Sequence, residues 1–511
     1  MHVHSAARVP GRLRLWSLSE DVLVEVGQSG DHLVAFTQWG EIRIEDASPL
    51  VRDSLQRMCL GPVSVENLPM LGDSHEPWDS GRPAESNEPW YRIRRVLEKL
   101  GSCVVQSLGL DDETGPVLSV TPVSRQARFW LPSDVDPTRP IRLSRFVAIR
   151  ADGGELVLES PIVQHKVVLH RPLAAWVAGS LNTATTVAAV ADQLNLPEPV
   201  LVDIVSYLVG SGMVLECDPD HPERFAEDGD PDLIPWSHQD LQFHSHSRLG
   251  RRDGDAGATF PFLDRLPAAP VVKPASDGPR VQLHRPPVGD LAAADLSLTE
   301  AIESRRSCTD WSERPLSAEQ VGELLFRVAR IRWTKLASAA GGATYAVSDR
   351  PYPSIADLYE LELYVSVDRC TGLRRGSHHY DPRKHALTLI NDSESDLADM
   401  LDAAMVAAGS TRRPAALITV TTRIARLSWM YSEIAYSSTL RHVGALQQTL
   451  HLVATAMGLA STALAVSDGA AADEALRLDW PKEVSVGEFV VGPTVDHGNR
   501  ARVADDGRTA G

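Results

Sequence analysis

The feature that most constrains the fold is an order of elements that occurs twice in the first 220 residues. Each copy has two short β-prone runs around a turn, then a helix opened by proline, then a second proline-led helix that ends before an apolar strand. The first copy has its turn at 38–40 and its proline at Pro49, and the second has them at 152–154 and Pro172. The two copies share little sequence identity, so only their pattern matches. This pattern predicts two winged-helix-like domains.

Winged helices often bind DNA, but the charge of this chain argues against that role. Lys and Arg number 50 against 68 Asp and Glu, which gives a net charge of −18. From Pro172 to Cys217 there is no Lys or Arg at all. Such a surface repels the phosphates of nucleic acid and of anionic membranes. We therefore expect no nucleic-acid or membrane partner, and we expect the second copy to bind a peptide along a strand edge.

The remaining composition is that of a folded intracellular protein. The five cysteines are far apart and form no Cys-x-x-Cys pair, which argues against disulfides and a thiolate zinc site. There is no apolar run of about 18 residues and no signal-peptide core, so we expect a cytoplasmic protein. His238, His244 and His246 could form a metal site, but no carboxylate supports it, and a polar connector is the favoured interpretation.

These signals predict an α+β protein with three folded parts. The chain is divided into the following segments: winged-helix-like domain 1 over 1–115, winged-helix-like and peptide-binding domain 2 over 116–220, a linker over 221–290, a third domain over 291–495, and a disordered tail over 496–511.

The third domain opens with a candidate anion site. A short helix pattern over 296–304 leads into Arg305, Arg306 and Ser307. Two guanidinium groups and a hydroxyl can donate several hydrogen bonds to a phosphate. The alternative is an ordinary exposed basic pair. Further along, residues 433–459 predict a long helix with a wide apolar stripe that ends at Gly458, either buried or at a dimer interface.

Several motifs in the third domain together resemble a known family. The motifs are Arg-Arg-Ser at 305–307, Arg-Pro-Tyr-Pro-Ser at 350–354, Tyr-Asp-Pro at 380–382, and the stretch 435–459 with Gln448. Their order resembles that of SagB/ThcOx-type dehydrogenases of the FMN-dependent nitroreductase superfamily, over about 296–492. The first half is similar to the larger dehydrogenases of thiopeptide and related azole-peptide pathways, whose extra domains are winged-helix-like.

The resemblance implies a nitroreductase-like fold, an FMN cofactor and a homodimer with FMN at each interface. It implies azoline oxidation in a precursor peptide, supplied by an azoline-forming cyclodehydratase. Tyr431 occupies the place of the tyrosine in the family's Lys-Tyr catalytic pair, with Asp468 and His442 as reserve candidates for the base. The implied cofactor-binding residues are Arg305, Arg306, Ser307, Pro353, Ser354, Gln448 and Val466.

The sequence also departs from the family's pattern. Thr309 replaces a basic residue, and Ile355-Ala356 replaces a glycine pair. Met430 stands in place of the catalytic lysine, and 465–468 lacks a glycine-containing turn. These departures leave two alternatives open. One is a flavin-poor scaffold that binds precursor peptide and heterodimerises with an active dehydrogenase, and the other is an oxidase of small molecules.

Overall fold

The structure is a computed structural model that describes residues 11–64, 89–110, 115–248, 250, 257–339, 342–466 and 468–495. The chain divides into two compact units, Met1–Gly254 and Asp255–Gly511. Both mix helices and strands, which confirms the predicted α+β class. The predicted tail, residues 496–511, lies outside the described residues. No helix in the described ranges is long and apolar enough to cross a membrane.

The first unit contains twelve described strands and seven described helices. The strands are β1 Arg12–Leu18, β2 Leu23–Val26, β3 Leu33–Thr37, β4 Gly40–Ile44, β5 Val63–Ser64, β6 Val104–Leu110, β7 Pro116–Pro122, β8 Ile141–Leu143, β9 Ala148–Asp152, β10 Glu155–Glu159, β11 His165–Leu169 and β12 Val214–Glu216. The helices are α1 Pro49–Leu60, α2 Pro89–Lys99, α3 Pro172–Ser180, α4 Val187–Leu194, α5 Glu198–Gly210, α6 Ala226–Gly229 and α7 His238–His246.

Both copies of the sequence pattern fold as an antiparallel hairpin followed by helices. Strands β3 and β4 pair in the first copy and β9 and β10 in the second. Helices α1 and α3 begin at Pro49 and Pro172, where the fixed φ of proline suits a first helical turn. The second hairpin belongs to a seven-stranded sheet of order β5-β1-β6-β7-β11-β10-β9, whereas β3 and β4 form a separate three-stranded sheet with β2. The assignment of both copies as winged helices stays a prediction.

The second unit contains thirteen described strands and seven described helices. The strands are β13 Gly257–Ala258, β14 Arg280–Gln282, β15 Leu316–Ser317, β16 Trp333–Ser338, β17 Thr344–Asp349, β18 Leu361–Val367, β19 Cys370–Thr371, β20 Gly376–Asp381, β21 Ala386–Asn391, β22 Ala416–Thr422, β23 Tyr431–Ser432, β24 Leu459–Leu464 and β25 Val484–Pro493. The helices are α8 Val288–Ala294, α9 Leu298–Ser304, α10 Ala318–Ala329, α11 Glu394–Ala407, α12 Ala425–Ser428, α13 Ala435–Ala456 and α14 Gly469–Leu476.

An antiparallel sheet of order β14-β21-β20-β18-β22-β25-β24 forms the centre of this unit. The predicted long helix is α13, which buries Val443, Leu446 and Leu450 in the same core cluster as Phe489 of β25. Each fully buried leucine contributes about 1.5 to 3 kcal/mol of transfer free energy. A second cluster, with Leu401 of α11, covers another part of the sheet. Helix α13 gives way to β24 at Gly458, whose φ of 65° favours glycine.

The segment predicted as a linker contains secondary structure. It includes α6, α7, β13, β14 and α8, and β14 forms an edge of the central sheet through its pairing with β21. His238 and His246 begin and end α7. Across the part of the chain that is described, no group of three or more His, Cys, Asp or Glu side chains is arranged to hold a metal ion. The domain boundaries stay predictions.

Candidate functional site

The Arg305 to Ser307 segment follows α9 directly. Helix α9 is opened by a capping box in which Ser297 and Glu300 satisfy each other's backbone amides. It ends at Ser304, and the following segment is fixed to β24 because the Cys308 amide donates to the Ser461 carbonyl at 2.9 Å. The sequence-predicted anion site therefore lies in a short loop between a capped helix and the edge of the central sheet.

Arg305 carries the charge that suits an anion. It is half-buried, and no described carboxylate forms an ion pair with its guanidinium. Its positive charge also adds to the effect of burial in lowering the pKa of His451 on α13. Arg306 is exposed and donates to the backbone carbonyls of Glu303 and Arg305 at 2.7 and 2.8 Å. A half-buried cation without a carboxylate is a favourable partner for a phosphate.

The loop that follows Pro353 and Ser354 is a compact turn with strained backbone. The Ser354 hydroxyl accepts the Tyr359 amide at 3.0 Å and so closes the turn. Ala356, Asp357 and Tyr359 have φ values of 50°, 56° and 48°, in the left-handed region that favours glycine. Such conformations persist only where the surroundings impose them. Ala356 therefore keeps a glycine-like conformation although the expected glycine is absent.

A histidine and a glutamate from two other elements contact this turn. The Ile355 amide donates to Nε2 of His442 at 3.0 Å, and Nδ1 of His442 lies 2.8 Å from Oε1 of Glu360. Because Nε2 accepts, the imidazole proton belongs on Nδ1, where it is donated to the carboxylate. Glu360 is fully buried and His442 is 8% exposed. The sequence reasoning missed Glu360, although its signal was visible: Glu360 and Glu362 are two acids in an otherwise apolar run at the start of β18.

Tyr431 lies in β23, which pairs with the short strand β13. Burial, and then the neighbouring Tyr345, raise the pKa of the Tyr431 phenol above its ordinary value. Met430 is 2% exposed and belongs to an apolar cluster with Trp429. Met430 is thus a core residue.

A cavity of about 390 Å³ lies beside the same cluster. Its walls come from the segment 263–270, the β16–β17 hairpin and Trp429. Tyr345 lines it and packs against Trp429 with ring centroids 5.6 Å apart. Ile355 and Tyr431 pack against the same cluster. The cavity is therefore close to both the strained turn and the candidate catalytic tyrosine.

Three arginines hold the extended segment that forms one wall of this cavity. Arg426 donates to the Ala269 carbonyl at 2.6 Å, and Arg423 to the Pro270 carbonyl at 2.8 Å. Arg350 donates to the Val271 carbonyl at 3.3 Å. All three arginines are nearly buried. Sequence reasoning did not find this arrangement, because the partners are separated by 79 residues or more along the chain.

The other predicted cofactor residues lie on exposed surfaces. Gln448 is exposed on α13, and Val466 is 71% exposed. Asp468 caps α14 by accepting the Ala471 amide at 3.1 Å, and Ser467 lies outside the described residues. The structure thus brings Arg305 near His451 and Ile355 against His442. The assignment of the whole residue set to one cofactor stays a prediction.

The residues present fit a phosphate-bearing flavin. The unpaired Arg305 guanidinium suits the phosphate. The left-handed turn preserves the backbone conformation that the missing glycine pair would have provided. Ile355 packs its side chain against the aromatic cluster, so its bulk is accommodated in the core. The replacement at Thr309 leaves an exposed residue in the same loop.

Comparisons with known proteins match two segments of the chain to family models. Residues 141–253 match the family model described as cyanobactin oxidase ThcOx, and residues 302–492 match that of the nitroreductase family. A protein of Methanocaldococcus jannaschii named as a nitroreductase is 27% identical over 183 residues, which are 36% of this chain and 83% of that protein.

Solved structures also match parts of the chain, at lower identity and with TM-scores below 0.5. A nitroreductase structure from Ralstonia eutropha is 18% identical, with a TM-score of 0.33, and the match covers 45% of this chain and all of that one. A chain of the Escherichia coli microcin synthetase McbBCD complex with truncated pro-MccB17 is 16% identical, with a TM-score of 0.31, covering 52% of this chain and 95% of that one. The chain therefore joins a ThcOx-type segment to a nitroreductase-family domain, which confirms the predicted SagB/ThcOx-type membership of the nitroreductase superfamily.

Proposed function

We propose that this protein is an FMN-dependent dehydrogenase that oxidises thiazolines or oxazolines in a ribosomally made precursor peptide to thiazoles or oxazoles. The observation that carries the proposal is the presence of a ThcOx-type segment and a nitroreductase-family domain in one chain. The reaction is a two-electron aromatisation in which the ring loses a proton and a hydride. The protein has to orient the ring and accept or relay the proton.

FMN would be held by the residues around the Arg305 loop. Arg305 and Ser307 would bind the phosphate, with Arg306 adjacent, while Pro353 and Ser354 would lie beside the ring system. Gln448 and Val466 complete the proposed set. When bound, FMN supplies a hydride acceptor. Arg305 supports this role because it is half-buried and has no described carboxylate partner.

Tyr431 is the proposed group for proton transfer. Its raised pKa keeps the phenol protonated at neutral pH, so it is suited to donate a hydrogen bond or relay a proton. The two reserve candidates are already engaged in the structure. Nε2 of His442 accepts the Ile355 amide, and Asp468 caps α14. Tyr431 is therefore a better candidate for the proton-transfer group than either of them.

The partners follow from the same proposal. The second N-terminal domain would bind the precursor peptide, and an azoline-forming cyclodehydratase would supply the substrate in the cytoplasm. A homodimer, or a heterodimer with a paralogue, would pair through the exposed part of α13. Leu440 on this helix is 39% exposed and Tyr436 is 42% exposed, which supports an interface there.

The decisive test is to purify the full-length protein and measure flavin absorbance before and after adding FMN. It is then incubated with an azoline-containing precursor peptide, and mass spectrometry follows the loss of two hydrogen atoms per ring. We expect a yellow protein that converts the rings, and faster conversion with the complete precursor than with its core alone. Equal rates on both peptides would contradict peptide docking and favour the small-molecule oxidase.

A non-catalytic scaffold is the second candidate, and the burial of Met430 in the apolar cluster favours it. Met430 offers no ionisable group at the position where the family has its catalytic lysine. If the purified protein is folded and binds precursor but stays colourless with excess FMN, the scaffold hypothesis would replace the enzyme hypothesis. Restoration of activity on mixing with a flavin-loaded paralogue would then identify its role.

A further inference from the structure

The strained turn after Ser354 is held by a contact that neither its sequence motif nor the family comparison assigns. Within the turn, the Asp357 amide bonds to the Ser354 carbonyl at 3.4 Å and the Leu358 amide to the Ile355 carbonyl at 3.2 Å. The Ile355 amide instead bonds outward, to Nε2 of His442 at 3.0 Å. The first amide of the turn is therefore fixed to helix α13.

Glu360 fixes the histidine in turn. Its Oε1 lies 2.8 Å from Nδ1 of His442, and the carboxylate is fully buried. A hydrogen bond from Nδ1 to the carboxylate leaves Nε2 unprotonated, which is the state needed to accept an amide. The backbone of Glu360 is also anchored, because its carbonyl accepts the Arg423 amide at 3.1 Å. The orientation of the imidazole is thus imposed from the start of β18.

Strain in the turn explains why such a clamp is needed. Ala356, Asp357 and Tyr359 all have positive φ values, and none of them is glycine. Without a restraint from outside the turn, these residues would adopt the more favourable negative φ values. Helix α13 is held in the core through Leu446 and Leu450. A hydrogen bond to this helix therefore restricts the motion of the turn.

We propose that Glu360 and His442 are positioning residues that clamp the Ile355 amide, and with it the turn after Ser354, in the conformation that FMN binding requires. The inference rests on the proposed function, which places FMN beside Pro353 and Ser354. Neither residue touches the cofactor in this proposal. They act on it through the backbone of the turn.

The test compares His442→Gln with His442→Asn in the full-length protein. The glutamine oxygen reaches about as far as Nε2 and can still accept the Ile355 amide, whereas asparagine is too short. We expect the Kd for FMN, measured by quenching of flavin fluorescence, to rise at least about tenfold with asparagine and less than about threefold with glutamine. His378→Leu, which removes another buried imidazole, from β20, is the control and should leave the Kd unchanged.

A second measurement does not depend on the flavin. Hydrogen exchange of the flavin-free protein should show faster exchange of the Ile355 amide in His442→Asn than in the wild type, with His442→Gln close to the wild type. Equal Kd values and equal exchange in the two variants would overturn the clamp. If the wild type fails to bind FMN but the exchange difference is present, the proposed function fails and the clamp on the turn stands.

Discussion

The carboxylate of Glu362 lies 2.7 Å from the guanidinium of Arg423, and both side chains are buried at the central sheet of the second unit. Nε2 of His379 is 3.1 Å from the other carboxylate oxygen. Burial alone would raise the pKa of Glu362, but Arg423, and then His379, outweigh it and lower the pKa to about 2. The same arginine holds the Pro270 carbonyl, so this ion pair also supports the wall of the cavity.

Glu362→Gln should destabilise the second unit by about 3 kcal/mol at neutral pH, because it leaves a buried arginine without its counter-charge. The folded-state pKa is depressed, so this stabilisation is present above the ordinary pKa of 4.5 and is lost as the pH falls toward about 2. The difference between wild type and variant, measured by urea unfolding, should therefore shrink across that window. Asp479→Asn, which breaks the exposed pair with Lys482, is the control and should cost less than about 1 kcal/mol.

Glu488→Gln, unlike Glu362→Gln, should stabilise the second unit, and it should do so at alkaline pH. Burial, and then the charge of Asp468, raise the pKa of Glu488 to about 7, so ionising it opposes folding. The wild type should lose stability as the pH rises from the ordinary value of 4.5 through about 7, whereas the variant should not. We expect the variant to be more stable by about 3 kcal/mol above pH ~8 and equal to wild type below pH ~4. A variant that is less stable at alkaline pH would contradict this.

Tyr431→Phe should lower the rate of azoline oxidation at least about tenfold, or ~1.4 kcal/mol in barrier, with flavin occupancy unchanged. The change removes a hydroxyl and leaves the ring to pack in its cluster. If the phenolate is the base, its raised pKa predicts a wild-type rate that still increases with pH above about 10, and the variant should lose that increase. Tyr345→Phe is the matched control, and a wild-type rate in Tyr431→Phe would make Tyr431 a packing residue.

Arg305→Ala should weaken FMN binding ten- to a hundredfold, corresponding to about 1.5 to 3 kcal/mol for a charge-assisted hydrogen bond. Arg306→Ala is the matched control, because Arg306 is exposed and donates to neighbouring backbone carbonyls. Arg306→Ala should raise the Kd for FMN by less than about threefold. Titration of each full-length variant with FMN measures both constants. Equal effects of the two substitutions would favour a diffuse basic surface over a phosphate site.

Lys273→Met should loosen the extended segment along the cavity. Nζ of Lys273 lies 2.5 Å from both the Tyr364 hydroxyl and Oε2 of Glu483, a carboxylate that is nearly buried. Without the lysine, that carboxylate loses its counter-charge, at a cost of about 2 kcal/mol. Limited proteolysis should then cut faster near residues 266–273 than in the wild type. Lys335→Met, on the exposed strand β16, should leave the cutting rate unchanged.

Much of the local structure could be predicted from neighbouring residues. Prolines at 49 and 172 mark helix starts, and Gly458 ends the stretch that contains α13. These signals depend on residues within about one helical turn of each other. They can therefore be recognised in the sequence without knowledge of tertiary contacts. The motif at 305–307 was located for the same reason, and the family resemblance gave its proposed ligand.

The tertiary structure decided which distant residues meet. Glu360 and His442 are 82 residues apart, and Glu362 meets Arg423 and His379 only because strands β18, β20 and β22 are neighbours in the sheet. Strand β14 lies inside the predicted linker, and it becomes an edge strand of the central sheet only by pairing with β21. Helix ends follow from short-range hydrogen bonding and φ preferences, so neighbouring residues are enough to specify them. Buried ion pairs and the clamp on the turn depend on sheet register and core packing, which exist only after the chain has folded.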